Sequence, residues 1–489
     1  MVTDATNVFF FWVGVFSVTV FVALAIKFTL REAILYGLVF LTNSAFTDSA
    51  FLPRLPFGGG NLFLSDAYLL AAVLLVFLSG RRTGDLLPGH YRKCFLVFGG
   101  TILIAALIGL SRGADPHYVL RELHYLPYYP LTMILVLHAV RSLEEQDRLL
   151  KFVTALVVVS AMGSFLQLAV ADHFQFMSYA DPAFNLEGEQ TGALRVRPPS
   201  QWLFLVFLVG ALGTYPLWRR RRGLMLAALT SVLLALFLGY SRNYFLALAV
   251  GVTVIVFLRK KGWKSRIRHA ALAVTVGSVA FLILSLAVRK MAPDYWSAFE
   301  DRIISSVTPA ESDALWEFGS RLYEIEMATG HIRQHPILGL GVGTTYRDIL
   351  PFEYRQADIS ENPDDAMHYM HNVYLYIWMK YGLIGALAGG WIVLLFLKRA
   401  WPLARSDARE AVLFTGIVAS FLALAASNLV SPSFVDSAAA PTLVGLMAGL
   451  VELGHQRLAH SVPRPGPRAF GRQARPIVKP VDPEFGLTA

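Results

Sequence analysis

Two histidines stand at the start of a long apolar stretch, HYMHNVYLYIWMKYGLIGALAGG, residues 368–390. His368 and His371 are three residues apart, so on a helix they would share one face. Three roles are open to them. They could belong to the belt of amphipathic rings at a membrane interface, they could bind a metal ion, or one could act as a general base, because a neutral imidazole accepts a proton near neutral pH.

A metal site is the weakest of the three interpretations. The HxxH spacing has no carboxylate on the same helix, and Asp364 and Asp365 fall in a loop. The chain has a single cysteine, Cys94, which excludes an internal disulfide framework and a zinc site made of cysteines. We therefore expect neither a metal ion nor another cofactor.

Arginines on the same side of the predicted membrane favour the general-base role. Arg242 joins two apolar runs almost without a loop, and Arg321 lies in the segment SRLYEIEMATGHIRQHP, 320–336, where Glu324 at i+3 is an alternative partner. Guanidinium groups bind phosphate oxygens in a bidentate manner and stabilise negative charge on a leaving group. Arg242, Arg321 and His371 together therefore predict a metal-independent site for a diphosphate leaving group. Further polar residues near this side are accessory candidates: Arg121, Arg195, Arg197, Ser241, His368 and Asn372.

The composition predicts the elements that must position these residues. The 489 residues are 55% hydrophobic and 16% charged, more apolar than the core of a soluble domain requires. Apolar runs of roughly 17–25 residues recur, long enough to cross a bilayer as helices. The chain should thus be an all-α polytopic membrane protein with about 12–13 transmembrane helices. The predicted spans start near Val8, Ala33, Leu62, Cys94, Glu122, Phe152, Ser200, Leu224, Tyr244, Ala271, Asn372, Arg409 and Val435.

The basic residues set the orientation of these spans. The net charge of +9 is divided among short clusters in alternate loops, as the positive-inside rule requires, rather than pooled as in a nucleic-acid-binding domain. The N-terminus and the candidate site then face outward, and the C-terminus faces the cytoplasm. The predicted regions are N-terminal helices (1–198), central helices (199–288), a large outer loop (289–371), C-terminal helices (372–455) and a disordered basic tail (456–489).

The large outer loop should contain an amphipathic helix on the membrane face. Leu322, Ile325 and Ile332 recur at helical spacing, and Pro336 ends the pattern before the flexible sequence GLGVGTTY. The first apolar run lacks a basic stretch before it and an Ala-x-Ala site after it. We expect it to be a retained helix rather than a signal peptide.

Three stretches, in this order, resemble the superfamily of bacterial O-antigen ligases and O-antigen polymerases. They are SRNYFLALAVG (241–251), RLYEIEMATGHIRQHPILGLGVG (321–343) and HNVYLYIWMKYGLIGAL (371–387), and the resemblance covers roughly residues 200–400. It implies a metal-independent, inverting glycosyltransferase of the GT-C type in the inner membrane. Its donor would be a glycan on undecaprenyl diphosphate at the periplasmic face. The resemblance further implies that Arg242 and Arg321 bind the diphosphate and that His371 activates the acceptor hydroxyl.

The acceptor is left open by these motifs. A ligase passes the glycan to lipid A core, whereas a polymerase passes it to another lipid-linked repeat unit, and the ligase is our first interpretation. A transporter of lipid-linked glycans is the alternative from another class. Transporters of this size tend to have internal repeats and polar residues near the bilayer midplane, whereas here the polar residues collect at one rim.

Overall fold

A computed structural model describes most of the chain between residues 29 and 461, in the ranges 29–44, 55–57, 60–62, 64–78, 87–170, 180–184, 190–196, 200–214, 222–239, 242–258, 313–348, 367–406 and 410–461, with a few single positions between 286 and 297. The helices are α1 Leu30–Asn43, α2 Leu64–Leu78, α3 Gly89–Ser111, α4 Pro116–Leu123, α5 Tyr128–Ala139, α6 Leu143–Val170, α7 Gln201–Thr214, α8 Arg222–Leu238, α9 Arg242–Leu258, α10 Asp313–Gln334, α11 Val373–Ala404, α12 Ala411–Ser427, α13 Ser433–Asp436 and α14 Ala439–Ser461. Two short antiparallel hairpins interrupt them: β1 Leu55–Phe57 with β2 Gly60–Leu62, and β3 Ala180–Phe184 with β4 Gln190–Val196.

The predicted all-α polytopic class is confirmed. Helices α3, α6 and α11 are long and apolar enough to cross a membrane, and α2, α7, α8, α9 and α12 contain shorter apolar stretches. The predicted spans near Val8 and Ala271 lie outside the described residues, as does the tail beyond residue 461. Helix α14 continues past residue 456, where the tail was predicted to start.

Small residues let the helices of the main core approach closely. A Cβ added to Gly213 on α7 would lie 2.6 Å from the Cα of Gly416 on α12, and one added to Gly445 on α14 would lie 2.6 Å from the carbonyl oxygen of Tyr129 on α5. Such contacts are typical of membrane helices, where van der Waals packing rather than the hydrophobic effect drives association. These pairs form the rigid bundle beside the candidate site.

A second, smaller core joins the elements that carry the candidate site. It contains Val119 of α4, Ala328 of α10, Val342 and Met370, together with buried residues of α3 and α11. Through this cluster α3 and α4 pack against α10, the chain that follows it and the start of α11.

Helix α11 is broken at Gly382, whose φ of 69° is left-handed. The break frees the carbonyl oxygens of Met379 and Lys380, which accept from the backbone N–H groups of Leu340 and Gly341 at 2.7 and 3.1 Å. It also frees two N–H groups beyond the break. Those of Leu383 and Ile384 donate to the carbonyl oxygens of Pro336 and Ile337 at 2.9 and 3.4 Å.

Residues 335–348, here called the glycine segment, thus replace the hydrogen bonds that α11 lacks. The segment has three left-handed glycines, Gly339, Gly341 and Gly343, with φ between 77° and 97°. Their missing side chains allow the backbone to enter the gap between α3 and α11, where the N–H of Val342 donates to the carbonyl of Ala105 at 3.0 Å.

Replacing Gly341 by alanine is expected to destabilise the protein. An alanine at φ +97° is strained by about 1–3 kcal/mol, and its Cβ would lie 2.5 Å from the backbone nitrogen of Gly109. The melting temperature of the purified protein in detergent should fall, as measured by tryptophan fluorescence. Gly390→Ala on α11 is the matched control, because nothing lies within 4 Å of its Cβ. Equal melting temperatures for the two variants would contradict this account.

The predicted amphipathic helix exists as α10 and ends at Gln334, just before Pro336. Its apolar residues divide between two environments: Leu322 and Ile325 are 51% and 38% exposed, whereas Ile332 is buried. Glu324, by contrast, is buried. The helix therefore turns this carboxylate inward and leaves two apolar side chains exposed.

Candidate active site

A buried carboxylate orients His371. The ring Nδ1 lies 2.9 Å from Oε1 of Glu324 and 3.1 Å from Oε2, and the backbone N–H of His371 donates to Oε2 at 3.1 Å. Because an ionised carboxylate can only accept, this contact places a proton on Nδ1, and in the neutral imidazole Nε2 then keeps its lone pair. The His371 side chain is 41% exposed, whereas that of Glu324 is 2% exposed. The imidazole is thus held through Nδ1 by a buried carboxylate, while part of the ring stays accessible.

Two arginines share the same carboxylate. Nη1 of Arg321 lies 3.4 Å and Nη2 of Arg347 lies 3.6 Å from Oε1 of Glu324. The Arg347 side chain is 1% exposed, while that of Arg321 is 35% exposed. Among the described residues, one carboxylate thus faces two guanidinium groups, and the partly exposed one, Arg321, lies on the same carboxylate as His371. Guanidinium groups bind anionic groups such as phosphate.

Within the glycine segment, Arg347 is held by its neighbour Tyr346, which also contacts the residues just before α11. Its Nε donates to the hydroxyl of Tyr346 at 3.2 Å, and that hydroxyl donates to the carbonyl of Tyr369 at 3.2 Å. The N–H of Tyr346 donates to the carbonyl of Met367 at 3.0 Å. These bonds hold residues 367–371 against the glycine segment, and so hold His371 against α10.

The expectation that the two histidines share a helix face is wrong. Asn372 is the N-cap of α11, and its side-chain oxygen accepts from the N–H groups of Tyr374 and Leu375 at 3.1 Å. An asparagine cap takes non-helical backbone angles, so the helix begins after the histidines. His368 is buried, stacks on Tyr118 with 3.7 Å between ring centroids, and faces a different carboxylate.

The other predicted residues are placed less completely. Arg121 lies over the ring of Tyr369, 5.8 Å from its centroid. Arg242 opens α9, but its side chain lies outside the described residues, as do those of Arg195, Arg197 and Ser241. Their approach to His371 therefore stays a prediction.

Arg112, which the sequence interpretation did not single out, holds the glycine segment from the end of α3. Its Nη1 donates to the carbonyls of Leu340 and Gly339 at 2.7 and 3.3 Å, and its Nη2 lies 3.3 Å from Nδ1 of His335. Partial burial and the Arg112 guanidinium lower the pKa of His335. A neutral His335 can then accept the arginine's hydrogen bond.

Arg347 and the role of Glu324 toward His371 were also missed. The sequence places Glu324 as a neighbour of Arg321 at i+3, and this pairing is present. Glu324 and His371 are 47 positions apart in the chain, so no local spacing rule connects them. Among the described residues, no group of three or more His, Cys, Asp or Glu side chains is placed to hold a metal ion.

The comparisons with known proteins bear on the same stretch. Residues 226–389 match the family described as O-antigen ligase. This range includes Arg242, Arg321, Glu324 and His371, and it ends within α11. No curated protein matches the chain. The predicted relation to the superfamily of O-antigen ligases and polymerases is confirmed.

Proposed function

We propose that this chain, which matches the O-antigen ligase family over residues 226–389, is an inverting glycosyltransferase of the periplasmic membrane face. Its donor is a glycan on undecaprenyl diphosphate, and its acceptor is a hydroxyl of lipid A core. One observation carries the proposal: Glu324 orients an accessible His371, with the partly exposed Arg321 on the same carboxylate. A base and a cation side by side are what transfer from a diphosphate requires.

In the proposed reaction, Nε2 of His371 takes the proton of the acceptor hydroxyl. The acceptor oxygen forms a bond to the anomeric carbon while the bond from that carbon to the diphosphate oxygen breaks. A single displacement of this kind inverts the anomeric centre. Glu324 stabilises the imidazolium that forms, as a carboxylate behind a catalytic histidine does.

The leaving diphosphate gains negative charge as the bond breaks. Arg321, which is 35% exposed on its side chain, stabilises this charge, and Arg242 is the second proposed guanidinium. The pairing of Arg321 with Glu324 is long at 3.4 Å and exposed on one side, so the guanidinium can turn partly toward a phosphate without leaving the carboxylate. Arg347 remains buried against the same carboxylate.

Deleting the gene tests the function and separates its alternatives. A ligase predicts that finished polymer accumulates on undecaprenyl diphosphate and is absent from lipid A core, as seen by gel separation and by analysis of extracted lipids. The wild-type gene should restore the capped core. Single repeat units on the core would indicate a polymerase instead. Lipid-linked glycan retained on the cytoplasmic side would indicate a transporter and would refute the transferase proposal.

A further inference from the structure

A buried ion pair links the N-terminal helices to α11. Nζ of Lys380 donates to Oε1 of Glu122 at 2.9 Å, and both side chains are 0% exposed. Glu122 lies on α4, which precedes the matched range 226–389, whereas Lys380 lies within that range, two residues before the break at Gly382. Replacing such a pair by apolar residues is often neutral or stabilising. Stability alone therefore does not account for it.

Lys380 also holds the glycine segment. Its Nζ donates to the carbonyl of Thr344, and its own carbonyl accepts from the N–H of Gly341 at 3.1 Å. One residue thereby joins α4, α11 and the glycine segment. The ammonium group satisfies a carbonyl that the left-handed turns leave without a helical partner.

From this junction, contacts lead to both members of the Glu324–His371 pair. Three residues after Thr344, Arg347 reaches Glu324. Glu122 leads to His371. Its Oε1 lies 3.7 Å from Nδ1 of His368, and His368 stands three residues before His371. The same carboxylate oxygen thus faces Lys380 and the segment that carries His371.

We propose that Glu122 and Lys380 are a positioning pair for the transfer reaction. The pair sets the spacing between the glycine segment and residues 367–371, so that Glu324 holds the His371 ring in its productive orientation. Neither residue touches the substrate. The proposal rests on the proposed function, and it assigns the N-terminal helices a part in the site.

The test compares the wild type with Glu122→Leu/Lys380→Met, which removes both buried charges together. We expect kcat for glycan transfer in nanodiscs to fall at least ten-fold, while the KM for the undecaprenyl-diphosphate-linked donor stays near wild type. Asp147→Leu/Lys151→Met is the matched control, because it removes an exposed pair of the same kind on α6 and should change neither constant. A double variant with wild-type kcat would overturn the proposal.

Hydrogen–deuterium exchange gives a readout that does not depend on activity. The amides of Tyr346 and His371 donate to Met367 and Glu324, so in the double variant they should exchange at least ten-fold faster than in the wild type. Unchanged exchange at both amides would refute positioning, even if the wild type transfers no glycan and the proposed function fails.

If the double variant does not fold, Tyr346→Phe tests the contacts between the glycine segment and residues 367–371. It keeps the buried pair but removes the hydroxyl that binds Arg347 and the carbonyl of Tyr369. We expect a lower kcat with an unchanged donor KM. Wild-type turnover in Tyr346→Phe would mean that this segment does not position the site.

Discussion

Replacing His371 by alanine is expected to lower kcat for glycan transfer by about 10²–10⁴-fold, the usual contribution of a general base. The KM for the lipid-linked donor should change little, because the arginines proposed to bind the diphosphate remain. The measurement is transfer by purified protein in nanodiscs, with donor binding followed separately. Since the ring is 41% exposed, added imidazole should restore part of the activity.

His90→Ala is the matched control for this variant. His90 also lies beside a glutamate, with Nε2 3.4 Å from Oε2 of Glu452, but it is on α3 at the predicted cytoplasmic end. Its loss should leave transfer unchanged. Full activity of His371→Ala at equal membrane abundance would refute the proposed mechanism. It would favour the alternative that His371 is one of the amphipathic rings at the membrane interface.

Glu324→Gln is expected to have two separate effects. An amide can donate to Nδ1 and so favour the tautomer with its proton on Nε2, which cannot act as a base. The loss in kcat should be about 10²–10⁴-fold by analogy with other histidines that lose their carboxylate. The buried Arg347 also loses a carboxylate partner, and because removing one member of a buried ion pair destabilises a protein, the melting temperature should fall.

A second substitution separates these effects. Glu324→Gln/Arg347→Met also removes the guanidinium that lost this partner, so the melting temperature should recover at least in part while kcat stays low. Glu326→Gln, on the same helix but exposed, is the matched control and should be silent in both measurements. If turnover recovers together with stability, Glu324 supports the fold and does not orient His371.

The sequence predicted much of the helical framework because apolar runs of membrane-crossing length leave few alternatives. The helix α10 and its end before Pro336 followed from spacing and from proline chemistry. The break at Gly382 did not, because glycine is common in continuous membrane helices. Its cause is a set of backbone hydrogen bonds to residues 39 to 47 positions earlier, which no local pattern contains.

In the candidate site, too, the sequence predicted a contact between near neighbours and missed one between distant residues. Arg321 and Glu324 are neighbours on one helix turn, so the i+3 rule finds their contact. The contact of Glu324 with His371 spans 47 positions in the chain and depends on the glycine segment. The predicted shared face of His368 and His371 was wrong because Asn372 caps the helix, so that it begins only after both histidines.

The glycine segment and the break in α11 depend on each other. Leu383 and Ile384 stand four residues after Met379 and Lys380, so in a straight helix the two N–H groups would donate to these two carbonyls instead of using the glycine segment. Each backbone group left unpaired away from water costs several kcal/mol. The segment can therefore leave its place only if α11 straightens at Gly382 at the same time, and the two movements are coupled.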